Sequence, residues 1–176
     1  TSGSGTFTGG LTLNKDATLS ALGSSDITFS TGAITGTGNV TTSSGTGSVI
    51  LAGNNSYSGT TTISSGNLQI GSGGTSGTLG TGDVTNNSAL IFNRSNAISV
   101  ANIISGAGTL TQAGSGTLTL SGSSTYTGAT LVNAGTLAIS DEANLGIKTS
   151  GGFVTDHLTL NGGTLQTTAT FSIDDS

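Results

Sequence analysis

Residues Gly106 to Ile139 read GAGTLTQAGSGTLTLSGSSTYTGATLVNAGTLAI, and Gly36 to Ile70 read GTGNVTTSSGTGSVILAGNNSYSGTTTISSGNLQI. The two stretches are versions of one unit. Gly47, Leu51, Gly53, Tyr57, Gly59, Thr61, Gly66, Leu68 and Ile70 meet Gly116, Leu120, Gly122, Tyr126, Gly128, Thr130, Gly135, Leu137 and Ile139 at a constant offset of 69. Gly36 and Gly38 meet Gly106 and Gly108 at 70, so the first copy carries one extra residue near Ser43. A repeat of this length means stacked supersecondary units, none of which can bury its apolar face alone.

Within each unit apolar residues alternate with Thr or Ser, as in Thr117, Leu118, Thr119, Leu120 and again in Thr136, Leu137, Ala138, Ile139. This period of two belongs to a half-buried strand. Glycine every few residues would cost a helix about 1 kcal/mol per site, so the unit is strand and turn only. The 176 residues include 31 Gly and no Pro, Cys, Met or Trp, and 6 % are charged. Disorder would need low hydrophobicity, yet 32 % of the chain is apolar and periodically placed. Five Phe and two Tyr are few for a compact sandwich. A parallel solenoid needs only a column of stacked Leu, Ile and Val, so the sequence predicts an all-β parallel solenoid. Leu51, Leu68, Ile70, Leu118, Leu120, Leu137 and Ile139 should point into the column, with Thr117, Thr119 and Thr136 outward.

Read this way, the 69-residue unit divides into three coils of about 23, giving about seven to eight coils and a rod of about 35 to 40 Å over residues 1–176. The regions after the two copies run in parallel: Leu79-Gly80 matches Leu145-Gly146, Val84-Thr85 matches Leu158-Thr159, and Phe92 lies near the place of Thr167. Residues 71–83 and 141–152 read as polar loops projecting from corners. The absence of distinct capping coils predicts a piece of a longer solenoid whose cut ends associate end to end.

The stretch Gly106 to Ile139, followed by LTLNGGTLQTTATFS at Leu158 to Ser172, resembles the passenger-associated transport repeat of bacterial autotransporters, also described as the autotransporter-associated beta-strand repeat. The resemblance implies a right-handed parallel β-helix in a passenger exported through a C-terminal outer-membrane β-barrel of the same polyprotein, hence a bacterial cell-surface or secreted location. It implies a structural stem that supports folding and export. An adhesin module is the alternative, contacting host surface glycans, matrix proteins or sister molecules through its polar faces and loops. The first copy departs from the family pattern at Thr41-Thr42-Ser43-Ser44, and Ile50 interrupts its alternation.

Chemistry is sparse. The formal charge of −5 and only three cations, Lys15, Arg94 and Lys148, oppose nucleic-acid binding. Polysaccharide cleavage, the enzymatic alternative for such a fold, needs carboxylates and cations converging from neighbouring coils. Of Asp16, Asp26, Asp83, Asp141, Glu142, Asp156, Asp174 and Asp175, only Asp141, Glu142 and Asp156 fall within one coil with Lys148 and His157. That cluster reads as a solvated loop, with a calcium or substrate site as its functional alternative. A lone His does not make a metal centre, and Gly80-Thr81-Gly82-Asp83 is a single copy of a motif that binds calcium only in tandem. Tyr57 and Tyr126 read as corner rings whose hydroxyls bond backbone groups, against stacking on a sugar. Stacked Thr-x-Thr suggests ice binding, but Thr117 and Thr119 are matched by Ser48 and Ile50 in the other copy. No residue is therefore assigned to catalysis, a cofactor or a metal.

Overall fold

The computed structural model describes residues 3–146 and 157–171. Among these the chain forms seventeen strands, a 3-10 turn at Glu142–Leu145 and no α-helix. Every ladder is parallel, with residues one turn apart pairing in register. The molecule is the parallel β-solenoid that the alternation predicts, and its turns have three faces.

The first face stacks β1 (Gly5–Phe7), β4 (Ile27–Phe29), the end of β6 (Val40–Leu51), the end of β7 (Thr61–Ile70), β9 (Ala89–Phe92), β12 (Thr109–Gln112), β14 (Thr130–Val132) and β16 (Leu158–Leu160). The second begins with β2 (Leu11–Leu13) on β5 (Ile34–Gly36). Extended backbone continues it, Ser58 N–H bonding Gly36 O and Thr81 N–H bonding Tyr57 O. Later turns supply it with β10 (Ile98–Val100), β13 (Thr117–Leu120), β15 (Thr136–Ile139) and β17 (Thr164–Thr167). The third face stacks β3 (Ala17–Leu19), the starts of β6 and β7, β8 (Val84–Asn86) and β11 (Ile104–Ser105). Six turns run from β1 to β14 within residues 3–146, slightly fewer than the expected seven to eight coils, and β16 adds a rung beyond them.

The core is a column of inward side chains. On the first face Phe29, Leu51, Ile70, Phe92, Gln112 and Val132 follow one another rung by rung, beside Ile27, Val49, Leu68, Leu90, Leu110 and Thr130. Leu51, Leu68, Ile70, Leu118, Leu120, Leu137 and Ile139 are all buried, each contributing about 1.5 to 3 kcal/mol. Thr117, Thr119 and Thr136 are half-buried between their rung neighbours rather than fully exposed. The extra residue near Ser43 becomes a bulge: register shifts occur between Thr42 and Ser43 and between Ser43 and Ser48, at the corner joining the third and first faces. Beyond it Ile50 keeps the alternation, half-buried between inward Val49 and Leu51.

The expected three-coil unit is corrected by the registers. Within residues 3–146, strands one turn apart are separated by 19 to 23 residues, and mostly by fewer than 23. A 69-residue unit therefore overruns three turns by about one face. Leu51 stands in the first-face ladder between Phe29 and Ile70, whereas its counterpart Leu120 stands in the second-face ladder between Val100 and Ile139. Val40 on the third face and its counterpart Leu110 on the first are displaced likewise. Corner chemistry travels with the unit: Gly59 lies so close to Gly38 O one turn below, and Gly128 to Gly108 O, that a Cβ would collide with the carbonyl. Gly66 and Gly135 both hold positive φ, 71° and 59°, which side-chain-bearing residues adopt at a cost.

Candidate functional site: tyrosine corners, pinned loop and polar anchors

Tyr57 and Tyr126 lie at corners, each four residues before an inward-facing Thr that opens the next face. Both rings have 0 % exposure, and each Oη lies 2.7 Å from a threonine Oγ1, Tyr57 with Thr61 and Tyr126 with Thr130. At Tyr126 the expected backbone partner is replaced by a buried hydroxyl, at Tyr57 the Gly80 backbone adds to the Thr61 hydroxyl, and both rings are closed to any sugar. The signal was Thr61 and Thr130 themselves, polar residues standing where the alternation calls for aliphatic ones. Burial pushes the Tyr126 phenol up to about 12 and that of Tyr57 upward as well, opposed in part by the Thr bonds and, at Tyr57, by the Gly80 backbone. The sequence parallels after each copy hold here: Gly80 packs on the Tyr57 ring and Gly146 against Tyr126, while Leu79 and Leu145 are buried.

The stretch 71–83 does not project as expected; only residues 72–75 form a continuous exposed run, while Gly77, Leu79 and Gly80 are buried. It is pinned from both neighbouring turns. Asn54 Oδ1 accepts from Gly77 N–H and Ala52 O from the Ser76 hydroxyl. Arg94, 8 % exposed, donates to Gly77 O and Thr75 O at 2.6 Å each and to Asn96 Oδ1 at 2.8 Å and 3.1 Å. A loop held open by glycines has become a packed part of the turn because one guanidinium satisfies its carbonyls.

The aspartates serve the backbone. Asp16 Oδ1 accepts from Asn39 N–H at 2.9 Å, Asp26 from Ser48 N–H at 2.8 Å, Asp83 from Ile103 N–H at 3.1 Å and Asp141 from Ala143 N–H at 2.8 Å. The Asn39 backbone and side-chain N–H groups hold the Asp16 carboxyl below its usual value. Of the cluster grouped by sequence, Asp141 caps the Glu142–Leu145 turn, and His157 Nε2 lies 2.8 Å from Leu145 O with its ring against Tyr126. Lys148 and Asp156 lie outside the described residues, as do Asp174 and Asp175. Among the described residues no three His, Cys, Asp or Glu side chains gather as metal ligands.

The passenger-associated-transport-repeat family matches residues 42–70 and 110–139, stretches that contain both tyrosine corners. Over 83 residues, 47 % of the chain, the sequence is 58 % identical to a protein named Adhesin BmaC autotransporter from Brucella suis biovar 1 (strain 1330). The chain spans 2 % of the length of that relative. No solved structure matches the chain.

Proposed function

We propose, because this chain carries the passenger-associated transport repeats of an autotransporter, that it is a length of structural stem in a surface-displayed or secreted passenger and supports its folding and export. The C-terminal outer-membrane β-barrel of the same polyprotein is its partner in export. The single observation that carries the reading is where the polar chemistry goes: four aspartates, both tyrosines and Arg94 are spent on joining one turn to the next or closing corners. What is left is a self-templating shaft in which each turn offers the next its ladder and its apolar column.

The test uses the full-length parent passenger with Leu120→Asp or Thr119→Asp, read by protease accessibility at the cell surface. Display should fall for the inward change and persist for the outward one. Equal display would remove the stem role from this segment. The stem reading also expects the chain to leave acidic and neutral polysaccharides intact. Turnover lost on His157→Ala would make it an enzyme.

A second reading, adhesion, is favoured by the name that the relative bears. It calls for a surface that contacts host glycans, matrix proteins or sister molecules. Binding to immobilised glycans and matrix proteins, with sedimentation for end-to-end self-association, tests it.

A further inference from the structure

Asn161 and Gly162 open the corner between β16 and β17, and they form the one Asn-Gly pair in a chain of thirteen asparagines. Asn161 N–H donates to Val132 O at 2.9 Å, and Gly163 N–H donates to the same oxygen at 3.1 Å. Gly162 N–H lies between these two donors in the chain. Among the described residues neither it nor the Asn161 side-chain amide makes a hydrogen bond. Both residues of the pair are exposed, and Gly162 holds φ at 98°, a value that a side chain would strain. The corner thus calls for glycine after Asn161 and leaves the nitrogen of that glycine free.

Other asparagines of the molecule serve as internal controls. At the same corner of earlier turns Asn93 donates its backbone N–H to Ile70 O and Asn133 to Gln112 O, as Asn161 does to Val132 O, but Arg94 and Ala134 follow them. A Cβ on the following residue crowds its nitrogen and stiffens its backbone, and glycine does neither. At the two Asn-Ser pairs the serine nitrogen is engaged, Ser56 N–H bonding Ile34 O at 2.9 Å and Ser88 N–H bonding Asn86 Oδ1 at 3.2 Å. Asn55 is buried besides, its Oδ1 accepting from Ile34 N–H and its Nδ2 donating to Thr78 O.

We infer that Asn161 is a site of spontaneous covalent modification, converted through a cyclic imide to aspartate and isoaspartate without an enzyme. The Gly162 nitrogen gives its proton to solvent base and attacks Asn161 Cγ. A Cγ–N bond forms, the Cγ–Nδ2 bond breaks, and the side-chain nitrogen leaves as ammonia. Water then opens the imide at either carbonyl, giving aspartate or, with the main chain rerouted through Cβ and Cγ, isoaspartate. Either product adds a negative charge to a chain of formal charge −5. Isoaspartate also lengthens the main chain by one carbon just ahead of β17, whose Thr164 and Leu165 stand in register with Thr136 and Leu137. That register is held from the corner by Gly163 N–H on Val132 O and Thr164 N–H on Gly135 O, so the isoaspartyl product loosens this rung.

The experiment incubates the folded chain, and the same chain in denaturing urea, at pH 9 and follows every asparagine by peptide mapping and mass spectrometry. An endoprotease specific for aspartate separates the aspartyl product from the isoaspartyl one. In the folded chain Asn161 should convert tenfold or more faster than Asn133, and its rates in the folded and unfolded chains should differ by less than tenfold. Folding should slow Asn55 and Asn87 by tenfold or more. Asn161→Gln, whose longer side chain closes the ring far less readily, should remove the modification from the peptide that holds residue 161. Hydrogen exchange at Gly163 and Thr164 should quicken in the isoaspartyl product while that at Gly114, which bonds Phe92 O, stays unchanged. Protection of Asn161 by tenfold or more on folding would overturn the assignment, because the corner would then shield the pair. Conversion of folded Asn133 or Asn87 as fast as Asn161 would overturn it too, because a free glycine nitrogen would not be what decides the site. Unchanged exchange at Gly163 and Thr164 would overturn the effect assigned to β17.

Discussion

Tyr126 Oη lies 2.7 Å from Thr130 Oγ1, and neither side chain is exposed. The pair spans a corner, and the hydroxyls satisfy each other where water is excluded, so removing one strands the other. Tyr126→Phe should cost about 1 to 3 kcal/mol, the penalty of an unsatisfied buried hydroxyl. Tyr126→Phe/Thr130→Val should recover most of that loss. Chemical denaturation of the four species of the cycle measures it, and additive losses would mean that the two hydroxyls do not depend on each other.

The same burial makes the fold sensitive to alkali. With the Tyr126 phenol held up at about 12 against an ordinary value of 10.0, the folded chain keeps its proton where the unfolded chain gives it up. This stability is fully present below about pH 10 and is lost as pH rises towards about 12, at about 1.4 kcal/mol per pH unit. Urea melts at pH 9, 10 and 11 should show the decline beginning near 10, and Tyr126→Phe should reduce it, leaving the share that the buried Tyr57 phenol contributes.

Inward and outward positions of one strand should separate cleanly. Leu120→Ala leaves a cavity between Val100 and Ile139 and should cost about 2 to 5 kcal/mol, while Thr119→Ala should stay within about 0.5 kcal/mol. Thermal melts of the two variants compare them directly.

Arg94 should behave as a local latch. Its partners are carbonyls and an amide, so Arg94→Met keeps much of the packing and removes the fork that fixes residues 75–77. The expected loss is about 1 to 3 kcal/mol, with faster hydrogen exchange at Gly73 N–H, which bonds Asn93 O at 2.8 Å. Arg94→Lys should not rescue, because a single ammonium cannot reach several oxygens in the geometry of a guanidinium. Exchange at Gly73 unchanged in Arg94→Met would show that the glycine loop holds itself.

Much of this was legible in the sequence, because burial in a solenoid is written as alternation. Leu118 and Leu120, the bulge beside Ser43 and the parallel between Gly80 on Tyr57 and Gly146 on Tyr126 all follow from aligned residue types. Turn length was not legible. Three faces with the same alternation leave no mark of where one turn ends, so a 69-residue period divides as readily into three turns as into three and a third. The pinning of 71–83 was hidden for a related reason: five glycines between Gly71 and Gly80 describe a free loop, and the single residue that ties it down lies a turn later at Arg94.

Engineered disulfides in this cysteine-free chain report whether each copy of the unit advances three turns and one face. Neighbouring rungs bring paired Cα atoms to about 4.8 Å, within the range a disulfide spans. Ser99 and Thr119 are such partners on the second face, and Ile91 and Thr111 on the first. Ser99→Cys/Thr119→Cys and Ile91→Cys/Thr111→Cys should both oxidise to intramolecular disulfides in the folded chain, while Asn96→Cys/Thr119→Cys should stay reduced. Cross-linking of 96 with 119 and not of 99 with 119 would instead give turns of 23 residues, put Thr119 on the face of Ile50, and contradict the account.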